Sequence, residues 1–413
     1  MRFLRTASTA RLVAAIAALL TAIAAGAAIA VAATGSGPVP APTSLAKAVH
    51  TALRAGGRDP VTSISANITF TDNLIDSSDF TGQAGDPLLQ GASGRMWWSE
   101  DGGIRVELQS DNGDVQIVVD HRSWWISDPA ENVVYEGTLP AESSGATGAS
   151  GSDGSGRAVP TVAEIESKLS TLMQSVNLSG AQPTDVAGRP AYRVTISPKG
   201  AGGLVGSLAL AWDALRGVPL TFAVYARGDA APVLALTATH ISYGPVAASV
   251  FAITPPAGAH IIELGSAHGT VNTPAGADRH LPVVTGVRAV GSQLAFPLHP
   301  PAQIQGLTLR STRLIDLGGV PGALVLYGHG LGTIAVIETR GVAADTAHGS
   351  VGGLSLPTRS IDGVTATVLA TPLGTVLRFT RDGVGYTVLG SVSAASAETA
   401  AGALAAGTLA AGG

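Results

Sequence analysis

The chain has 413 residues, 46% hydrophobic and only 13% charged, with a formal net charge of −5. That balance offers no basic field to phosphates, which argues against nucleic acid as a partner. There is no cysteine, which removes disulfides, zinc–thiolate sites, thiol catalysis and a lipid-modified N-terminal cysteine together.

Arg2, Arg5 and Arg11 precede an uncharged run from Leu12 to Ala33. The run is long enough to span a bilayer as a helix, for which about 20 residues suffice. Ala28-Ile29-Ala30 and Ala30-Val31-Ala32 also fit a small-x-small cleavage site. Two readings stay open: a retained single-pass membrane anchor, or a signal peptide that is cleaved to release a secreted protein. Both place the remainder outside the cytoplasm, because the arginines stay inside. Gly35 to Pro42 has linker composition.

Thr43 to Gly56 is expected to be helical, with Ser44 as cap and Leu45, Val49 and Leu53 on one face. Ser63 to Phe70 alternates, with Ile64, Ala66, Ile68 and Phe70 on one side. Thr71 to Ser93 is polar and reads as a long loop or a broken strand. Arg95 to Gly137 then holds four of the five tryptophans, as Trp97-Trp98 and Trp124-Trp125. Between these pairs Ile104, Val106 and Leu108, then Val115, Ile117 and Val119, alternate with polar residues. Strict period-two alternation marks strands with one buried face. The breaks at Asp101-Gly-Gly, Asp111-Asn-Gly-Asp and Ser127-Asp-Pro supply turn residues. The stretch is therefore an antiparallel meander of about four short strands.

Ala141 to Pro160 is a Gly/Ser-rich insert with nothing to bury. Thr161 and Glu164 have capping-box spacing, and Ile165, Leu169, Leu172, Met173 and Val176 form a stripe at helical period. Four strands follow: Ala191–Ser197, Leu208–Asp213, Leu220–Arg227 and Val233–Tyr243. Pro255 to His280 reads as a second linker. A second unit from about Leu281 has strands at Leu307–Leu317, Ala323–Gly328, Thr333–Thr339, Val364–Ala370, Thr375–Thr380 and Gly385–Leu389. An alanine-rich helix from Ser393 ends the chain.

From about Leu45 to Ile261 the chain resembles the lipoprotein-carrier family, LolA-like, and its RseB-like regulatory relative. The order of elements carries the resemblance, together with Gly188-Arg-Pro-Ala-Tyr192 before a strand. Leu210-Ala-Trp212-Asp213 with Gly217-Val-Pro-Leu220, and Pro245 with Val250-Phe251 before Pro255, add to it. The region after Leu281 resembles a small α/β module found beside such domains, through Phe296-Pro-Leu298 and the final strand-plus-helix. The resemblance implies an α+β, mainly β fold: a curved antiparallel sheet, a half-open β-barrel, closed by helices, plus a smaller C-terminal α/β domain. The divisions expected are 1–42 for anchor and linker, 43–256 for the first domain with its flexible insert at 141–160, 257–280 for a linker and 281–413 for a small α+β domain with a terminal helix.

The resemblance also implies a cavity that takes lipid or lipoprotein acyl chains. The expected wall lies between the sheet and the Ile165–Val176 helix. It comprises Ile64, Ile68, Phe70, Trp97, Ile104, Val106, Ile117, Val119, Trp124, Leu169, Leu172, Val194, Leu210, Trp212 and Phe222. The competing reading is that these residues make a dry core, since hollow and filled barrels share one binary pattern. A second functional reading is an RseB-like regulator that binds an anti-sigma factor or another envelope protein. A third is a structural envelope protein without a ligand.

No enzyme, cofactor or metal site is expected. The nine histidines are dispersed with no His-x-x-x-His pair. His260, His268 and His280 share the linker, where solvated side chains are the simplest reading. No Gly-x-Ser-x-Gly elbow occurs. Gly200-Ala-Gly-Gly203 precedes a strand, so no helix N-terminus faces an anion there. Asp72, Asp76 and Asp79 lack the glycine and the terminal glutamate of a calcium loop.

Overall fold

The computed structural model describes residues 37–58, 60–75, 91–109, 114–128, 132–139, 159–200, 202–264, 284–317, 320–340, 350–351 and 354–410. The anchor or signal segment lies outside them. Among the described residues no helix is long and apolar enough to cross a membrane.

The first domain opens with α1 (Leu45–Arg58) and β1 (Ser63–Asp72). The meander is β2 (Ala92–Ser99), β3 (Gly103–Gln109), β4 (Val115–Asp120), β5 (Ser123–Asp128) and β6 (Val133–Thr138). After α2 (Val162–Leu172) come the short β7 (Val176–Leu178) and β8 (Gln182–Val186). The domain then runs through β9 (Arg189–Pro198), β10 (Val205–Asp213), β11 (Pro219–Ala226), β12 (Pro232–Ser242) and β13 (His260–Leu264). All belong to one 13-stranded sheet in the order β13-β6-β5-β4-β3-β2-β1-β12-β11-β10-β9-β7, with β8 beside β9. The order does not close on itself, and the sheet curls as a half barrel.

Cross-strand register fixes which side chains share the inner face, because directly paired residues point the same way. Ile64 pairs with Trp98 and Ala66 with Met96. Trp98 pairs with Ile104 and Met96 with Val106. Ile104 pairs with Val119 and Val106 with Ile117, and Val119 with Trp124. On the other side Phe70 pairs with Leu236, Leu236 with Phe222, Phe222 with Leu210, and Leu210 with Val194. One continuous apolar face results.

Helix α1 covers part of that face. Ser44 Oγ accepts from Lys47 N at 3.3 Å and starts the helix as its residue type predicts. Leu45, Val49 and Ala52 pack with buried Ala48 on Tyr192, Val194 and Trp212, each fully buried aliphatic side chain contributing roughly 1.5–3 kcal/mol. Gly217, at φ +70°, is what lets the β10–β11 turn approach: a Cβ there would meet the Ala52 carbonyl at 2.6 Å.

Three features differ from the sequence expectation. The stripe on α2 does not close the barrel. Helix α2 packs on α1, only Ile165 is buried, and Leu172 is 45% exposed. Leu53 also points outward, and alanines face the sheet in its place. Finally, the segment expected as a linker supplies β13, which pairs in parallel with β6 and makes the sheet mixed.

The second domain carries α3 (Val287–Gly291), β14 (Gln303–Ile304), β15 (Leu307–Asp316), β16 (Pro321–Tyr327) and β17 (Ile334–Arg340). The small hairpin β18 (Ser350–Val351) and β19 (Leu354–Ser355) pairs separately. Then follow β20 (Thr358–Ile361), β21 (Val364–Thr371), β22 (Gly374–Arg381), β23 (Val384–Gly390) and α4 (Ala394–Ala410). Eight strands form one sheet, in the order β14-β15-β16-β17-β23-β22-β21-β20. Every pairing in it is antiparallel, so the module is α+β with a terminal helix, as expected for 281–413, and not the α/β arrangement that the resemblance implies. Small side chains let α4 sit close: Ala397, Ala400, Ala401 and Leu404 bury against Val325, Val336, Leu377 and Val388.

Candidate functional site

A cavity of about 370 Å³, open to solvent, lies on the inner face beside the C-terminal end of α1. Its floor is Ile64, Ala66 and Ile68 of β1 with Met96 and Trp98 of β2. Its other wall is Leu220 and Phe222 of β11 with Leu236, Ala238 and Ile241 of β12. Gly56, Pro60 and Val61 border it from the helix side, and Arg216 and Glu100 are its charged members. The volume is at the low end of the ~300–1,000 Å³ typical of ligand sites.

The β10–β11 turn that forms one lip is tied down by a buried carboxylate. Asp213, 1% exposed, accepts from the backbone N–H groups of Leu215 and Arg216 at 2.8 and 3.0 Å. Tyr243 Oη donates to its second oxygen at 2.8 Å. The Arg189 and Arg216 guanidinium groups lie over the Tyr243 ring, 4.8 and 6.0 Å from its centroid. Burial, and then the Asp213 charge, hold the Tyr243 phenol far above its ordinary value, so it stays a neutral donor.

Of the residues expected to form the wall, Ile64, Ile68 and Phe222 line this cavity. Ile104, Val106, Ile117 and Val119 share the inner face but are buried in the core beyond it, with Phe70, Trp124 and Leu210 packed alongside. Val194 and Trp212 lie under α1. Leu169 and Leu172 are on α2, away from the cavity. Trp97 is on the outer face: it pairs with Arg105, and the Arg95 and Arg105 guanidinium groups sit 5.2 and 5.4 Å from its ring centroid. Both arginines bond Glu107, which gives that buried carboxylate its partners.

Sequence reading misses Met96, Trp98, Leu236 and Ala238. For Trp98 the signal exists: it is the member of its pair that shares parity with Ile104 once the hairpin register is known.

Among the described residues no group of three or more His, Asp or Glu side chains could hold a metal ion. His268 and His280 lie outside those residues. Apolar walls with few charged groups thus enclose an open cavity on the inner face of the half barrel.

No protein-family model matches the chain, and no curated protein matches it. Solved structures share its outline at low similarity. The Pseudomonas aeruginosa MucA/MucB complex aligns over 86% of this chain and 96% of that one, at 16% identity and a TM-score of 0.39. An uncharacterized conserved protein from Thermus thermophilus aligns over 53% and 98%, at 9% identity and a TM-score of 0.31. A putative outer membrane lipoprotein-sorting protein domain from Vibrio parahaemolyticus aligns over 50% and 96%, at 10% identity and a TM-score of 0.21. At TM-scores this low the likeness carries no conclusion about ligand or partner.

Proposed function

We propose that this chain is a non-enzymatic, extracytoplasmic binding protein whose first domain takes one apolar chain of acyl type. The cavity is the observation that carries the reading: it is apolar on both walls, open to solvent and bordered by α1. At about 370 Å³ the cavity stands at the low end of ligand-site volumes, which suits a single chain. Each methylene moved from water into such a site contributes ~0.8 kcal/mol, so affinity needs no charged contact. Arg216 and Glu100 at the border are placed to meet a polar head group outside. The extracytoplasmic placement follows from Arg2, Arg5 and Arg11 ahead of the uncharged 12–33 run, with that run as the anchor.

Native mass spectrometry of the chain purified from membranes tests this. One acyl-bearing molecule per chain is expected. A chain that emerges empty, and stays empty after incubation with phospholipid, would contradict the reading. A chain that emerges empty but bound to an envelope protein would favour the regulatory alternative.

A further inference from the structure

We infer that the cavity-mouth end of the half barrel docks on the surface of a phospholipid bilayer, led by Leu215 of the β10–β11 turn. The inference rests on the cavity and anchor readings above, and three independent features of the fold point to it.

The first is where the chain enters the domain. Gly37 is packed directly on the Asp185 carboxylate, which leaves no space for a Cβ, and the Ala41 carbonyl accepts from Tyr192 Oη at 2.7 Å. Asp185 pairs with Pro190, and the Pro190 carbonyl accepts from Ala214 N at 2.8 Å. Entry point and cavity lip therefore share one end of the sheet. Four Cα–Cα steps separate Ala33 from Gly37, at most about 15 Å of chain. A membrane span at 12–33 has no slack to put any other end of the domain against the bilayer.

The second is what that end exposes. Leu215 is 68% exposed at the tip of the turn, and Leu53 of α1 is 46% exposed. Leu53 adjoins Ala52, whose carbonyl touches Gly217. Large aliphatic side chains held out beside an apolar opening suit the interfacial zone of a bilayer. Arg216 and Glu100 both lie at the opening, so the contact calls for no particular headgroup charge.

The third is where the second domain attaches. Leu204 N donates to the Ser391 carbonyl at 2.9 Å, and Gly202 lies against Gly332. Gly202 and Leu204 belong to the β9–β10 turn, at the opposite end of the strands. Among the described residues the second domain thus attaches at the end away from the mouth.

The absence of cysteine makes a site-specific test direct. Leu215→Cys and, as control, Ala231→Cys in the β11–β12 turn at the far end are each labelled with a fluorophore. The full chain is reconstituted in phosphatidylcholine vesicles carrying a lipid-borne quencher. Loss of fluorescence at 215 with none at 231 is expected. Equal quenching at both positions, or at neither, would overturn the proposal. The cavity is read separately with a fluorescent fatty acid in solution, so its failure would leave the 215-against-231 difference untouched.

Discussion

Tyr243 and Asp213 hold the lip of the cavity together through one hydrogen bond of 2.8 Å. Asp213 is almost wholly buried, and its other oxygen already serves Leu215 N and Arg216 N. Tyr243→Phe removes the phenol donor and leaves a buried carboxylate oxygen short of a partner. A loss of about 1–3 kcal/mol is expected, seen as a lower melting temperature together with weaker binding of an apolar probe. An unchanged melt would show that the carboxylate is satisfied without Tyr243.

Glu338 is the second buried carboxylate with a consequence. It is 3% exposed on β17, pairs with Tyr386 and lies near enough to Tyr327 that burial and then its charge push that phenol up. Burial pushes its carboxyl up to about 7 from the ordinary value of 4.5. A raised acid keeps its proton in the folded chain while the unfolded chain releases it. The stability this provides is complete below about pH 4.5 and is lost as the pH rises to about 7. The loss is on the order of 3 kcal/mol. The melting temperature of the second domain should fall across that window and level off above it. Glu338→Gln should flatten the profile. A wild-type profile already flat from pH 4.5 to 7 would contradict the assignment.

Among the described residues the two domains meet through Leu204 and Val205 on Ser391 and through Gly202 and Gly203 on Gly332 and Leu331. Small polar contacts couple domains weakly. Calorimetry of the chain from Gly37 onward should resolve two transitions, each matching one domain expressed alone. One cooperative transition that neither half reproduces would require a larger shared surface.

Leu172→Asp should cost less than about 0.5 kcal/mol, as for exposed positions generally, because Leu172 is 45% exposed. Ile165→Ala on the same helix should cost about 2–5 kcal/mol, because Ile165 is 5% exposed. Thermal melts of the two variants check the contrast. Equal destabilisation would mean that α2 buries its whole stripe.

These cases mark what sequence makes legible. Alternation at Ile104, Val106 and Leu108 gives β3 its buried face, and all three are buried. Thr161 and Glu164 form the capping box their spacing predicts, with Glu164 N donating to Thr161 Oγ1 at 3.3 Å. The choice between Trp97 and Trp98 depends on register across the β2–β3 hairpin, and a slip of one residue exchanges the faces. Helical period shows that α2 has an apolar stripe, but not whether it meets the sheet or another helix. The cavity is the least local feature of all. It needs β1, β2, β11, β12 and the end of α1 together, and no stretch of chain records that meeting.

Ala238 gives the most direct test of the central claim that the inner face is hollow and takes one apolar chain. Its side chain is buried and faces the cavity, so Ala238→Phe should fill the space. A fluorescent fatty acid is titrated into wild type and variant, beside thermal melts of both. Saturation at one probe per wild-type chain is expected, with a folded variant that has lost binding. A wild type that takes up no probe, with a variant destabilised by the ~1–3 kcal/mol of an overpacked dry core, would contradict it.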